Sequence, residues 1–440
     1  MKSLDSWRIS IRYLFLNYLL VDSMNKPVLE KSQNILLISG LYIFALGSSF
    51  SIAITQTGIV ISIAGMILLL INKILQGRKP DFFKIHIWFY MIIVYLFIHF
   101  ILNLVSETPY KSLSEMLKQE WIIVLLPIVL IAPLDEKREE RLWKILFLSG
   151  AIMGLYGIFQ TYTGVRLFQE AGLMHRGYIF RNEGLFRGVL TYAGWQVPVS
   201  ILIMTFALIL PAGNFQKIAS FSSILTLTGG FLNAARSTWF GLSLAFIIML
   251  FFLPKKSIKV FLIVILILLY WLILFHPEIY MNPDLKRVVK STHNKNLRDT
   301  TDRYIFLNTS VKIFKQYPLA GIGRGNFQKH ALNLYGDEVS DDKKEYGTHP
   351  HSDILNMLVA GGLIGSISWI VLWLSCIYFL LRNLKLFSMN KPQILAGLAV
   401  LVCFLGSGLF QCYYTDLENS MIWWFIISMA FKHILRGNKI

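Results

Sequence analysis

Long apolar runs alternate with short polar loops along most of the chain. A helix needs about 20 apolar residues to cross the hydrocarbon core of a bilayer. The pattern predicts twelve membrane-spanning helices, at 34–55, 57–72, 85–105, 121–133, 144–163, 190–210, 218–233, 238–253, 260–275, 353–381, 394–411 and 420–435. The fourth run is the weakest of them, because Pro127 favours a bent or partial span. We therefore expect an all-α polytopic membrane protein.

The composition supports a membrane protein and argues against a soluble one. Apolar residues make up 55% of the 440 positions and charged residues only 15%. Soluble globular proteins carry about 25% charged residues. A chain with so few charges could not cover the surface of a water-soluble core.

The net charge is +17, which would suit either a nucleic-acid-binding protein or an oriented membrane protein. The twelve predicted spans place both termini and alternate loops on one side. That side holds 23 of the 42 Lys and Arg residues but only 8 of the 25 Asp and Glu residues, so the opposite side is nearly neutral. Since basic residues collect in cytoplasmic loops, we expect both termini in the cytoplasm. Orientation then explains the basic excess, and no nucleic-acid partner is expected.

The expected organisation has four parts. Residues 1–33 form a cytoplasmic or interfacial segment, since no small-residue cleavage site marks a signal peptide. Residues 34–275 form the first nine spans and include a basic outer loop at 164–189. Residues 276–350 form a large outer loop, and 351–440 form the last three spans and a cytoplasmic tail.

The large outer loop should contain helices of its own, because a structureless loop of that length is uncommon. Asp302 is a plausible N-cap, and Tyr304, Leu307 and Val311 follow at helical spacing. The helix should stop near Pro318. We expect the loop to act as a small helical lid.

Several arginines fall on the outer side and could bind phosphate. Arg236 lies in NAARSTWFG, between the seventh and eighth spans, where a charge is usually functional, paired or snorkelling to the interface. Arg176, Arg181 and Arg187 lie in the basic outer loop. Arg303 begins the lid helix and by itself would be an ordinary surface residue. Guanidinium groups bind phosphate bidentately, which suits a diphosphate.

The segment GTHPHSD (347–353) allows three interpretations. His349, His351 and Asp353 could hold a metal, but Pro350 and the two-residue spacing do not favour it. They could be ordinary polar residues at a helix start. Alternatively, a neutral histidine could act as a general base oriented by Asp353.

The glycine-rich stretch GIGRGNF (321–327) lacks the GxxxxGK pattern of a nucleotide-binding loop, and no strand precedes it. We interpret it as a helix stop followed by tight turns. A membrane enzyme that acts on the outer side has no access to cytoplasmic ATP. It would need an already activated donor in the membrane.

In three motifs the C-terminal half resembles the superfamily of bacterial O-antigen ligases and polymerases. The motifs are ARSTWFG (235–241), Arg303 with PLAGIGRGNF (318–327), and HSDILNMLVAGGLIG (351–365). The last fits the pattern of His, then Asn, Ser or Gln, nine residues, Gly, two residues and Gly. Its members here are His351, Ser352, Gly362 and Gly365.

The resemblance implies a GT-C-like membrane fold and a bacterial inner-membrane glycosyltransferase that works on the periplasmic face without metal or cofactor. It would move a glycan, with inversion, from undecaprenyl diphosphate onto a sugar of the lipid A core, among membrane lipids. Carried over by motif, Arg236 and Arg303 contact the donor diphosphate and His351 assists the transfer. Arg176, Arg181 and Arg187 are further candidates for the phosphates, while Ser352, Asp353, Gly362 and Gly365 belong to the motif's structure.

Two alternatives remain at this point. A polymerase of O-antigen or exopolysaccharide would use the same donor and a second lipid-linked glycan as acceptor. Neither Arg236 nor Arg303 is followed by Gly eleven positions later, as in many polymerase loops, which favours the ligase. A transporter or flippase is a remote alternative, since few ionisable residues such as His99 lie in the first nine spans. One departure from the family is Ala360, where many relatives carry an acidic residue.

Overall fold

The computed structural model describes residues 26–76, 87–167, 172–173, 175–176, 179–186, 188–263, 265, 302–334, 349–386 and 392–437. Most of them are helical. In chain order the helices are α1 (Lys26–Phe50), α2 (Ile52–Leu75), α3 (Ile87–Leu104), α4 (Pro109–Glu120), α5 (Leu125–Ile131), α6 (Glu136–Thr163), α7 (Val189–Ile209), α8 (Asn214–Leu232), α9 (Arg236–Phe252), α10 (Asp302–Gln316), α11 (Phe327–Leu332), α12 (Asp353–Leu386), α13 (Pro392–Gly408) and α14 (Leu417–Gly437). A further helical stretch covers 255–263.

One short ribbon interrupts this helical architecture. Strands β1 (His175–Arg176) and β2 (Ile179–Phe180) pair antiparallel in the segment 164–189, with His175 opposite Phe180. Two-residue strands contribute little to the fold. The expected all-α membrane class therefore holds at the level of the whole architecture.

Five of the described helices are long and apolar enough to cross a membrane. They are Leu29–Phe50, Ile52–Ile74, Glu136–Thr163, Val189–Ile209 and Asp353–Leu384. Shorter apolar helices cover Phe89–Leu104, Arg236–Phe252 and Pro392–Gly408. The count of twelve stays a prediction, and most of its ninth run, 260–275, lies outside the described residues.

The weak fourth run is part of a broken helix. Helix α4 continues through a 3-10 turn, Trp121–Val124, into α5. Pro127 has no N–H to donate to the carbonyl of Ile123, and its ring crowds that carbonyl, so the regular α-helix is disrupted one turn before the proline. The α-helix is thus interrupted by a 3-10 turn just before the proline. This interruption places Glu120, the last residue of α4, at the break.

Small residues and caps set how the bundle packs. Helices α1 and α2 approach so closely at Gly40 and Gly58 that a Cβ on either would overlap the other helix's backbone. Helix α6 begins at Asp135, whose carboxylate accepts from Arg138 N at 2.8 Å, and ends at Gly164 with φ +69°. Helices α7, α13 and α14 carry the most completely buried apolar residues of the core.

Helix α12 is also broken, and the break is filled by the lid segment. At Gly362 the backbone has φ +60° and ψ −157°, which is not helical. The freed carbonyls of Val359 and Ala360 accept hydrogen bonds from Ile322 N and Gly323 N, each at 2.9 Å. Across the break, the amides of α12 donate in turn: Leu363 N to Pro318 O at 2.8 Å and Ile364 N to Leu319 O at 3.2 Å. The stretch 318–327 and the histidine motif 351–365, which are separate in the sequence, thus form one hydrogen-bonded unit.

The predicted lid helix is present as α10, which begins at Asp302 and ends at Gln316, two residues before Pro318. Phe306 and Ile313 of α10 pack with Phe327 of α11 and Val359 of α12 in a small apolar cluster. Helices α10 and α11 therefore rest on α12 next to its broken turn.

Candidate active site

Arg236 is the first residue of α9, and its side chain is exposed. The chain reaches it through Ala234, which has φ +58° although it is not glycine. Such a conformation is uncommon for residues other than Gly, Asn and Asp, and it persists only where the surroundings enforce it. Within the described part of the chain the Arg236 guanidinium forms no hydrogen bond or ion pair. The helix start therefore presents a guanidinium available for an anion.

Arg181 lies against the same turn. Its Nε donates to the carbonyl oxygen of Asn233 at 3.3 Å, three residues before Arg236. Asn233 is fully buried, and its Nδ2 donates to Asn182 O at 2.6 Å and Val189 O at 3.0 Å. The structure thus brings Arg181 and Arg236 to one hydrogen-bonded turn.

For the other three predicted arginines the structure describes at most the backbone. Arg176 is on β1 and Arg303 is in the first turn of α10, but their side chains are not among those described. Arg187 lies outside the described residues. Phe306, one helical turn after Arg303, has its ring 5.0 Å from that of His351, so α10 passes beside the histidine motif.

His351 has φ +55°, which makes Ala234 and His351 the non-glycine residues with positive φ in the described part of the chain. Both lie in the motifs singled out from the sequence. The His351 Nδ1 lies 3.2 Å from Gln411 Oε1. Because an amide oxygen only accepts, Nδ1 carries the proton of the neutral ring and Nε2 keeps the lone pair. This tautomer suits a base.

His349 plays a different part. The backbone N–H of His351 donates to His349 Nδ1 at 3.2 Å, so the proton of the neutral His349 ring is on Nε2. Burial, with His351 nearby, lowers the pKa of His349 to about 4. The two rings lie 4.3 Å apart. At neutral pH His349 is therefore an uncharged hydrogen-bond donor.

Asp353 does not orient His351 as the sequence suggested. Its buried carboxylate accepts from two backbone amides, Tyr413 N at 3.3 Å and Tyr414 N at 3.0 Å, while Gln411 faces the imidazole. A carboxylate at the start of a helix is well placed to bind amides of a crossing loop. Ser352 caps α12, with its Oγ 3.5 Å from Leu355 N.

The loop 409–416 joins the arginine motif at 235–241 to the histidine motif at 351–365. The sequence analysis did not identify this role of the loop. Gln411 contacts His351, and Tyr413 OH lies 3.0 Å from the Oγ of Ser237, the residue after Arg236. Asp353 holds the loop's backbone. At its far end, Asp416 accepts from Thr191 at 2.8 Å. The loop is a short polar connection between apolar helices and carried no motif that could have revealed this role.

Arg324, in the middle of GIGRGNF, was interpreted only as part of a turn. The turns are confirmed, since Gly321, Gly323 and Gly325 all have positive φ. Yet the Arg324 side chain is 3% exposed and lies 2.6 Å from Glu120 Oε1. Its Nη1 donates to Gln119 Oε1 at 2.6 Å, and Nη2, the nitrogen that faces Glu120, also donates to Tyr95 OH at 2.8 Å.

A wider network satisfies this buried pair. Tyr95 and Tyr414 each donate to the Glu120 carboxylate at 2.6 Å. His99 packs beside Tyr95, with the two rings 4.4 Å apart and tilted at 49°, and its Nε2 lies 3.2 Å from Gly365 O. A buried ion pair needs such partners to offset its desolvation. The residues of this network come from four separate stretches of the chain. Local sequence patterns could therefore not have shown the buried ion pair.

Gly362 and Gly365 serve the broken helix. A Cβ at Gly362 would overlap the carbonyl group of Leu319 in the inserted segment. A Cβ at Gly365 would press on His99 and Leu102 of α3 at about 3.3 Å. Ala360, where many relatives are acidic, gives its carbonyl to Gly323 N and leaves no carboxylate there.

A scan against protein-family models matches residues 221–370 to the family described as O-antigen ligase. This segment of the chain is similar to the O-antigen ligase family. It covers about a third of the chain and contains Arg236, Arg303, the stretch 318–327 and His351. The O-antigen ligase segment excludes Arg181 and Gln411, which only the fold brings to the motifs. No curated protein matches the chain.

The site combines the exposed guanidinium of Arg236, a second arginine, Arg181, that donates to the same turn, and a histidine whose Nε2 carries the lone pair. Among the described residues no group of three or more His, Cys, Asp and Glu side chains is arranged to hold a metal ion. Members of the O-antigen ligase family are glycosyltransferase-like membrane enzymes that handle lipid-linked glycans. The side chains present fit that chemistry.

Proposed function

We propose that the protein is an O-antigen ligase. It would transfer a glycan from undecaprenyl diphosphate to a hydroxyl of a lipid A–core sugar at the periplasmic face of the bacterial inner membrane. Both termini would lie in the cytoplasm, and the outer loop 276–350 would cover the site. No metal or cofactor takes part in this proposal.

The arginines would bind the donor. Arg181 donates to the turn that leads into Arg236, and Arg303 lies at the start of the helix that passes His351. Arg176 and Arg187 belong to the same basic outer loop as Arg181. A diphosphate gains negative charge as the sugar leaves it, so guanidinium groups at this place stabilise the transition state more than the ground state.

His351 would accept the acceptor's proton. The acceptor oxygen forms a bond to the anomeric carbon as the bond from that carbon to the phosphate oxygen breaks. The hydroxyl proton goes to His351 Nε2, and undecaprenyl diphosphate leaves with the bonding electron pair. Attack from the face opposite the leaving group inverts the anomeric configuration.

One observation carries the proposal: the loop 409–416 contacts both motifs within three residues. Gln411 fixes the His351 tautomer, and Tyr413 bonds the residue next to Arg236. The loop therefore connects His351, the proposed base, to the turn of Arg236, which is proposed to bind the diphosphate. A transfer between two bound substrates requires such groups to be held in position relative to each other.

The lipid products of a deletion strain test the function. A ligase is supported if the strain lacks glycan-capped lipid A–core while full-length polymer stays on the carrier lipid, and if the cloned gene restores capping. Core capped by a single repeat unit would mean a polymerase instead. Unchanged capping would rule out the ligase and the O-antigen polymerase.

A further inference from the structure

A buried asparagine begins the turn 233–236, which joins α8 to α9 and ends at Arg236. Asn233 is fully buried, and its carbonyl oxygen accepts from Arg181 Nε at 3.3 Å. Its side-chain Nδ2 donates to the carbonyl oxygens of Asn182 at 2.6 Å and Val189 at 3.0 Å. The backbone and the side chain of this one residue therefore both bind the segment 181–189, which begins with Arg181.

A second buried asparagine ties the segment 181–189 to α6 and α8. The Nδ2 of Asn182 donates to Gly157 O at 3.1 Å and to Thr161 Oγ1 at 3.0 Å, both on α6. It also donates to Gly229 O at 3.1 Å, which is one of the last carbonyls of α8. Because the last carbonyls of a helix have no donor within that helix, Asn182 caps α8 just before the turn 233–236.

The segment is also held directly after Asn182. Gln160 of α6 is buried, and its Oε1 accepts from the backbone N–H groups of Glu183 at 3.1 Å and Gly184 at 2.8 Å. The Nε2 of the same glutamine donates to Gly184 O at 2.9 Å. The backbone that carries Arg181 is therefore fixed on α6.

The turn 233–236 has a strained backbone. Ala234 has φ +58°, which is unfavourable for a residue other than glycine and persists only where the surroundings enforce it. Asn233, directly before it, forms the three hydrogen bonds to the segment 181–189 that hold the turn. On the other side of the turn, Trp239 Nε1 donates to Phe231 O at 3.2 Å. These bonds therefore set the direction in which Arg236 leaves the turn.

A diphosphate and a single phosphate make different demands on a pair of arginines. One guanidinium is enough to bind a single phosphate, whereas two guanidinium groups bind both phosphoryl groups of a diphosphate only at a suitable separation. The second contact then forms within the complex and raises the affinity, and it is lost when the geometry forbids simultaneous binding. The separation of Arg181 and Arg236 therefore decides how strongly a diphosphate is preferred.

We propose that Asn182 and Asn233 are positioning residues that set the separation of Arg181 and Arg236. They thereby give the site its preference for a diphosphate over a single phosphate. The proposal rests on the proposed function for the role of the two arginines. Both asparagines are fully buried, so they act through the arginines and not by touching the ligand. Asn182 lies outside the matched segment 221–370, so part of the site is built by the preceding part of the chain.

The test measures binding of inorganic diphosphate and of inorganic orthophosphate to the purified full chain in lipid nanodiscs. The quantity compared is the ratio of the two affinities, because the difference in charge between the two anions is common to all variants. Asn233→Ala should lower this ratio by at least about 10-fold, since simultaneous binding is lost. Orthophosphate affinity should stay within about twofold and serves as the folding control. Asn214→Ala, at an exposed asparagine of α8, is the matched control and should keep the wild-type ratio.

A second comparison separates positioning from a general loosening of the fold. In a chain that already carries Arg181→Ala, the further change Asn233→Ala should alter the ratio by less than about twofold, because the asparagine acts through the arginine. If Asn233→Ala binds neither anion, Asn233→Ser is measured in its place. The serine hydroxyl can make one of the two lost donations, and its ratio should fall between those of the wild type and Arg181→Ala.

An unchanged ratio in the Asn233 variant would overturn the proposal while leaving the proposed function intact. A fall in the ratio that simply adds to the effect of Arg181→Ala would also overturn it. A wild-type protein with no preference for diphosphate would contradict the proposed diphosphate site, and the positioning proposal with it. A wild-type protein that shows the whole pattern but transfers no glycan would contradict the proposed function alone.

Discussion

At the residue scale, the site depends on which atom each polar group faces. His351 and His349 are two residues apart, yet one keeps a lone pair on Nε2 and the other a proton. The difference comes from the partner of each Nδ1, an amide oxygen in one case and a backbone N–H in the other. Residue type alone suggested a base. Only the hydrogen-bond partners of the two Nδ1 atoms show that the lone pair of His351 is on Nε2.

Asp353→Asn should destabilise the protein, whereas His351→Asn should not. The Asp353 carboxylate accepts from two backbone amides, and an asparagine would turn an NH₂ group toward one of them. An unsatisfied buried group costs roughly 1–3 kcal/mol. Asparagine at position 351 tolerates the positive φ of that residue. Thermal unfolding in detergent measures the stability of both variants. Ser352→Ala is the control and should destabilise the protein only slightly, because it removes a long 3.5 Å capping hydrogen bond.

The stability of the fold should fall as the pH drops from about 6.5 to about 4, in part through His349. Burial lowers the pKa of His349 from 6.5 to about 4, so in this range the unfolded chain binds a proton that the folded chain does not. The contribution is present above pH 6.5 and is lost on acidification, by about 2 to 3 kcal/mol. Carboxylates titrate in the same range, so His349→Gln is the reference. Equal acid sensitivity in the two proteins would contradict this assignment.

At the scale of elements, the site is built on interrupted helices. Helix α12 breaks at Gly362 and accepts the segment 318–323, and the break between α4 and α5 follows Glu120. Irregular backbone at membrane depth needs partners within the protein. Here the freed carbonyls and amides of α12 find them in the lid segment. The two breaks lie next to Arg324: Glu120 at one break pairs with it, and the segment 318–323 at the other break directly precedes it.

Gly362→Ala should strongly reduce folded protein, whereas Gly361→Ala should have little effect. At Gly362 the combination of φ +60° and ψ −157° is essentially restricted to glycine, and a Cβ would overlap Leu319. At Gly361 the nearest atom to a Cβ is His99 Cε1, at an ordinary 3.4 Å. The strain alone is worth roughly 1–3 kcal/mol. Yield of monodisperse protein and its unfolding temperature measure the difference, and equal values for the two variants would show that the break is not required.

At the scale of the whole molecule, sequence patterns predicted local features well. The helix interruption before Pro127, the helix that begins at Asp302 and the turns of GIGRGNF follow from neighbouring residues. The Arg324–Glu120 pair and the contact of Gln411 with His351 do not, because they join stretches far apart in sequence. The backbone amides that Asp353 accepts from, Tyr413 N and Tyr414 N, were hidden from the sequence for the same reason, since they lie 60 and 61 residues further along the chain. Motifs located the site, and long-range packing decided how its residues are used.

The most direct test of the account is glycan transfer in proteoliposomes that contain purified protein, labelled glycan on undecaprenyl diphosphate and lipid A–core. Arg236→Ala and His351→Asn should each lower the initial rate by about 100-fold or more, since each removes a group proposed to act in the transition state. Lys217→Ala, at an exposed lysine of α8, should match the wild type. Rates of Arg236→Ala and His351→Asn within about twofold of the wild type would contradict the account.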